Sequence, residues 1–246
     1  MWSINELKSR AIAVLKVSYW KAFLVSLVLA IAGGYGGSSF NLNWKVDNSD
    51  FTAPWSSITI PDFSPVLIAV IIAAMGFGIL LLLGFRILLG YPLEVGSRKF
   101  FIEGQQYRFD MNHLGYAFNN SRYIDIITSM LWRGFLNFLW FLLLIIPGIV
   151  AMYAYRMVPY ILADNPNIGY KRAVQLSTRM TEGHKFHIFV LDLSFLGWLI
   201  LGVIALFIGV LFVLPYINAA NAELYAVLRQ SALEKGLCTN AELLLD

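Results

Sequence analysis

This sequence is poor in the residues that carry most protein chemistry. It holds one cysteine, Cys238, so no disulfide can close within it, and the redox compartment stays open. It holds three histidines. Two of them, His184 and His187, stand three apart. No cysteine, aspartate or third histidine joins them at ligand spacing, which argues against zinc and favours interface anchoring. There is no GxSxG, no GxGxxG, and no GxxxxGK followed by Ser or Thr, so serine-nucleophile and phosphate-loop chemistry find no foothold. Charge is scarce too. Only 13% of residues are Asp, Glu, Lys or Arg, against about 25% in a soluble domain. The basic residues form no stripe interleaved with aromatics on a soluble domain, so nucleic acid is not an expected partner. No catalytic residue, cofactor or metal is expected, and the chain reads as something other than an enzyme.

What is present is apolar: 59% of the residues. The run 66–85 contains no charge at all. A membrane-crossing helix needs about 20 mainly apolar residues, and several segments reach that. Every lysine and arginine except Lys45 falls at or below one side of a six-span arrangement. By the positive-inside rule that side is cytoplasmic. The expected fold is therefore all-α: a polytopic membrane bundle of about six transmembrane helices plus two cytoplasmic-face amphipathic helices, in a single integral-membrane domain over 1–246. The expected location is the plasma membrane, multi-pass, with both termini cytoplasmic. Membrane lipids are the expected partners, because basic residues flanking spans suit anionic headgroups.

Along the chain, Ser3 and Glu6 make a capping box for an amphipathic helix over 3–18. It either lies in the inner interface or packs against the cytoplasmic ends of the bundle. Ala30, Ile31 and Ala32 mimic a signal-peptidase site, but the helix-like stretch before them is too long, so span one (20–35) reads as uncleaved. Gly33 and Gly37 spell GxxxG at its end, a stop signal in preference to a dimer motif. Residues 38–63 form the outer loop. Ser64 and Pro65 open span two, which continues to about residue 89, and 90–105 then projects into the cytoplasm. Residues 106–122 form a short inner surface helix or loop. Span three covers 123–146. Pro147-Gly148 signals a turn into a short span four over 149–163, with a kinked continuous helix as the rival. After Asn165-Pro166-Asn167, the spacing of Ala173, Val174, Leu176 and Met180 predicts a second amphipathic helix over 168–181, ended at Gly183. The last apolar block supplies two spans turning near Phe207–Gly209, which returns the tail 230–246 to the cytoplasm.

Ionisable residues inside spans are the candidates for function, since each costs about 2.5–3.5 kcal/mol at mid-depth. They are Arg133, Arg156, Asp192 and Glu223, with Asp125 nearer an edge. Arg156 and Asp192 each lie about seven residues from an inner span end, roughly 10 Å deep, and are expected to pair. Glu223 is the rival partner for Arg156, and Arg133 the rival for Asp192. One reading makes the set an ion-paired staple. The other makes it a proton or substrate pathway, although transporter sites cluster nearer the midplane.

The segments Ile146-Pro147-Gly148-Ile149-Val150, Tyr160-Ile161-Leu162-Ala163-Asp164-Asn165-Pro166 and Arg172-Ala173…Ser177…Met180…Gly183-His184-Lys185 resemble the bacterial integral-membrane family called domain of unknown function 975. Leu191-Asp192-Leu193-Ser194-Phe195-Leu196-Gly197-Trp198 and Pro215-Tyr216 continue the pattern, as does Glu6-Leu7-Lys8. More distantly, the chain is similar to membrane domains that accompany glycerophosphodiester phosphodiesterases. The resemblance implies a Gram-positive-type plasma-membrane protein of about six helices and no established activity. It draws attention to Ser194, Gly197 and Trp198, where Gly197 suits close helix approach. The functional expectation is a non-enzymatic membrane scaffold or accessory protein, in envelope homeostasis or protection against membrane-active peptides. The alternative is a small transporter or channel using the intramembrane charges.

Overall fold

The computed structural model describes residues 2–33, 65–204 and 208–245. The expected outer loop at 38–63, Gly37 and Ser64 lie outside these residues. Helix α1 spans Ile4–Ile31. Ser3 caps it, its hydroxyl accepting from the Glu6 amide at 3.2 Å. The helix is not straight: Ser18 takes non-helical angles (φ −151°, ψ 51°) and divides it where the amphipathic segment was expected to meet span one. Gly33 follows the C-terminus in the left-handed region (φ 75°), a conformation glycine adopts without strain.

Helix α2 (Pro65–Phe85) passes through a π-helical turn (Arg86–Gly90) into α3 (Tyr91–Gly104). A 3-10 helix (Met111–Phe118) leads to α4 (Asn120–Leu143). Then come α5 (Ile145–Ala154), α6 (Val158–Asp164), α7 (Tyr170–Met180), α8 (Lys185–Ile204) and α9 (Ile208–Glu234). The described residues are helix and turn throughout, and six helical stretches are long and apolar enough to cross a membrane.

The turn between spans three and four falls earlier than Pro147. Leu144 is extended (φ −161°, ψ 148°) and separates α4 from α5. A proline within a continuing helix would remove an amide and drive its ring against the carbonyl four residues back. A break at Leu144 leaves Pro147 in the first turn of α5, where its missing N–H costs nothing. Gly148 then closes the hairpin: a Cβ there would lie 2.5 Å from the Phe141 ring. The second hairpin turns between Ile204 and Ile208, and residues 205–207 lie outside the description. Its arms touch, since a Cβ on Gly202 would sit 2.7 Å from the Val210 amide nitrogen.

Three findings depart from the expected layout. First, α3 does not project away. Glu94, Val95, Gly96, Ser97, Arg98, Phe100, Phe101 and Ile102 are all buried, against α1, α4, α6, α9 and the 3-10 helix. Its charges look like surface charges in the sequence only because their partners lie on distant segments. Second, α1 packs along α9 and reaches α8 through side chains, beyond packing at the bundle's ends. Trp2 lies by His184 and His187, Lys8 donates to the Ser194 carbonyl (3.2 Å), and the Tyr19 hydroxyl donates to the Phe212 carbonyl (2.9 Å). Third, apart from the π-helical turn that continues it, α2 makes no more than marginal contact with any other described element. Val70, Ile72, Met75, Phe77, Leu80 and Leu82 are all more than half exposed.

Candidate functional site

The sequence-predicted charges do not form one cluster. Arg156, just past α5, and Asp192 on α8 do meet. The guanidinium grips both carboxylate oxygens, one at 2.7 Å, and also donates to Asn221 Oδ1 on α9 at 2.9 Å. The Tyr153 hydroxyl donates to Asp192 Oδ2 at 3.1 Å. A two-toothed guanidinium–carboxylate pair is the strongest and most directional ion pair a protein makes.

Arg133 goes elsewhere. It lies 3.5 Å from Glu94 Oε1, while Arg86 holds Oε2 at 2.9 Å. Glu94 thus sits between two arginines with 2% of its side chain exposed. Arg86 also donates to the Ala32 carbonyl, tying the end of α1 to the junction of α2 and α3. Glu223 is buried but forms no ion pair among the described residues; the opposite charge it senses is that of Arg10, itself bound to Glu6. Asp125 is exposed.

Residues outside the expected charge set complete the arrangement. Arg98, one turn beyond Glu94, donates to Asn218 Oδ1 at 3.0 Å and lies over the Tyr160 ring. The Asn218 amide donates in turn to Ser26 Oγ on α1 at 2.9 Å. Asp164, at the end of α6, accepts from the Tyr225 hydroxyl (2.6 Å) and from Arg229 (2.8 Å). Tyr160 stacks on Tyr225 with ring centres 5.3 Å apart. It lies within electrostatic reach of Arg98, Arg156, Glu94 and Asp192 and so joins the two arginine systems. One signal for α3 was present: Glu94 and Arg98 share a helix face while Val95, Phe100, Phe101 and Ile102 surround them.

These groups form a belt across the bundle. Arg133 lies near the middle of α4, and Asn221 near the middle of α9. Asp192 lies in the first half of α8, seven residues after Lys185. Helix α9 continues to Glu234, packed on α3 and α7.

The motif residues beside the belt have plain roles. Ser194 returns its hydroxyl to the Leu191 carbonyl (2.5 Å). Among the described residues, Gly197 has no atom within 4 Å of where a Cβ would stand, so none of them makes the expected close helix approach there. His184 and His187 flank the Trp2 ring, and among the described residues no group of three or more His, Cys, Asp or Glu is placed to hold a metal.

Outside the spans, the tail is clasped. Arg172 on α7 binds the Glu242 carboxylate at 2.6 and 3.1 Å and the Leu237 carbonyl at 2.8 Å, and Asn165 donates to the Glu242 carbonyl. The Arg172 hydrogen bonds hold the Glu242 carboxyl below its ordinary value. Burial pushes the Cys238 thiol up.

Chemically, the belt pairs charges and fixes helix contacts. Neither the pocket beside Trp2, Arg10 and His184 nor the groove beside Ile12, Lys16 and Phe212 is lined by Arg133, Arg156 or Asp192. No curated protein and no solved structure matches the chain. A family model described as "Protein of unknown function (DUF975)" matches residues 1–232, and the chain belongs to that family.

Proposed function

We propose that this chain is a non-enzymatic scaffold or accessory protein of a bacterial plasma membrane, with both termini cytoplasmic. It acts through lipid and protein contacts, in envelope homeostasis or in protection against membrane-active peptides. The observation that carries this reading is that four of the belt's arginines are paired with carboxylates. Arg86 and Arg133 are spent on Glu94, Arg156 on Asp192, and Arg229 on Asp164. Charges closed on one another hold helices together; a translocation path needs charges that a passing ion or substrate can reach. The α2 helix, apolar on all sides, adds a surface for contacts within the bilayer.

One feature favours the rival reading of a small transporter or channel: Arg133, Arg156 and Asp192 are ionisable groups within membrane-length helical stretches, a common mark of an ion or substrate path. A charge-neutral pair separates the two. Cells lacking the chain are complemented with Arg156→Gln/Asp192→Asn and challenged with a panel of cationic pore-forming peptides, with membrane levels matched. A scaffold keeps its protective effect, because the paired amides still bridge α5 and α8. Loss of the effect at normal protein level, or ion flux through proteoliposomes that the double variant abolishes, overturns the scaffold reading.

A further inference from the structure

A groove of about 540 Å³ opens between α1, α8 and α9. Ile12, Leu15, Tyr19, Trp198, Phe212, Val213 and Tyr216 line it, and Lys16 is its one charged wall. The size falls in the range of small-molecule sites, roughly 300–1,000 Å³. Two breaks in helical regularity shape it. The kink at Ser18 bends α1 beside it, and Pro215 interrupts the amide ladder of α9. The Tyr19 hydroxyl is spent on the Phe212 carbonyl, so that wall offers a ring face and no open donor. The Phe23 ring packs on Phe212 behind it.

Lys16 is the second observation. It is exposed at the groove and has no carboxylate partner among the described residues, whereas Arg10 on the same helix is paired with Glu6. An unpaired ammonium beside an apolar, aromatic slot on a membrane-facing surface is complementary to one kind of molecule. That molecule has an acyl chain to fill the slot and an anion to meet the amine.

We propose that this groove binds one anionic phospholipid, an acyl chain lying against Tyr19, Trp198 and Phe212 and the phosphate held by Lys16. The inference rests on the chain being embedded in a membrane, and holds whether the protein is a scaffold or a transporter.

The test is native mass spectrometry of the full chain in detergent. It is titrated with phosphatidylglycerol and with phosphatidylcholine of the same acyl composition. The expected result is a single retained phosphatidylglycerol, bound about fivefold more tightly than phosphatidylcholine. Lys16→Gln removes the preference while leaving weak binding of both lipids. Val213→Trp, which fills the slot, lowers binding of both. Millimolar inorganic phosphate does not displace the lipid. Equal binding of the two lipids, no change in Lys16→Gln, or displacement by phosphate alone overturns the proposal. If Val213→Trp is unfolded by circular dichroism, the decision passes to Lys16→Gln, whose side chain is exposed. A folded protein without lipid selectivity counts against the groove alone and leaves the scaffold reading standing.

Discussion

At the residue scale, the two best-formed ion pairs make different predictions. Asp164 has 2% of its side chain exposed and holds both Arg229 and Tyr225; Asp192 is a third exposed. Removing one partner of a buried pair strands the other charge, at about 3–5 kcal/mol when burial is complete. Asp164→Asn is therefore expected near that range. Asp192→Asn should cost less, about 2 kcal/mol, because water or headgroups reach it. Adding Arg156→Gln to Asp192→Asn should recover about 1 kcal/mol, the coupling expected of contacting residues. Chemical unfolding in a mild detergent measures all three; additivity of the two substitutions would exclude a working pair.

The Glu242–Arg172 clasp gives a pH dependence whose sign follows from the shift. The folded-state value of Glu242 is lowered from 4.5 by its hydrogen bonds to Arg172. Its stabilisation is thus present in full above the ordinary glutamate value and is lost as pH falls through the lowered one. At neutral pH, Glu242→Gln should unfold at a lower temperature than the unsubstituted chain. That gap should close as the solution is taken well below pH 4.5. A gap that persists or widens in acid would mean that the carboxylate charge contributes nothing.

At the element scale, glycines separate contact from habit. In α3, a Cβ on Gly96 would meet the backbone oxygens of Leu114 and His113 at 2.6 and 2.8 Å. Backbone cannot step aside, so Gly96→Ala should cost about 2 kcal/mol through overpacking. Gly197→Ala should leave the unfolding midpoint unchanged or raise it slightly, since its site is open and alanine suits helices. The comparison shows where the sequence is legible. Element existence was readable almost throughout, because apolar runs, the Ser3 cap, the Pro147-Gly148 signal and Gly183 each act within a few residues. Partner choice was not. Arg156 and Asp192 could be matched because both stand out as charges in apolar runs joined by a short segment. Glu94 and Arg98 sit in a stretch with further charges, at Lys99 and Glu103, and resemble any solvent-facing helix until Arg133 and Asn218 are brought to them by the fold.

At the scale of the whole molecule, topology is testable, but not through the native thiol. Cys238 is 5% exposed, so its silence toward a membrane-impermeant reagent would report burial and not sidedness. Thr239 and Asn240 are exposed neighbours. In a Cys238→Ser background, Thr239→Cys should stay unlabelled in intact cells and react once the membrane is opened, whereas a cysteine placed within 38–63 should react from outside. Labelling of Thr239→Cys in intact cells would reverse or break the six-span arrangement.

The isolation of α2 bears on how the chain is made. A helix of 21 residues is roughly 31 Å long, enough to cross the hydrocarbon layer, and this one carries no charge. It needs no help from a neighbour to leave the insertion machinery sideways into lipid. The helices that follow it are different: α4 carries Arg133, α8 carries Asp192, and α9 carries Asn218 and Glu223. Each enters lipid at a penalty that only a later-made or distant partner removes. During synthesis, α2 is then expected to enter the bilayer unaided and to hold Arg86 near the membrane until Glu94 emerges eight residues later. The rest of the bundle assembles against that anchored junction, and the helix that did the anchoring is left facing lipid.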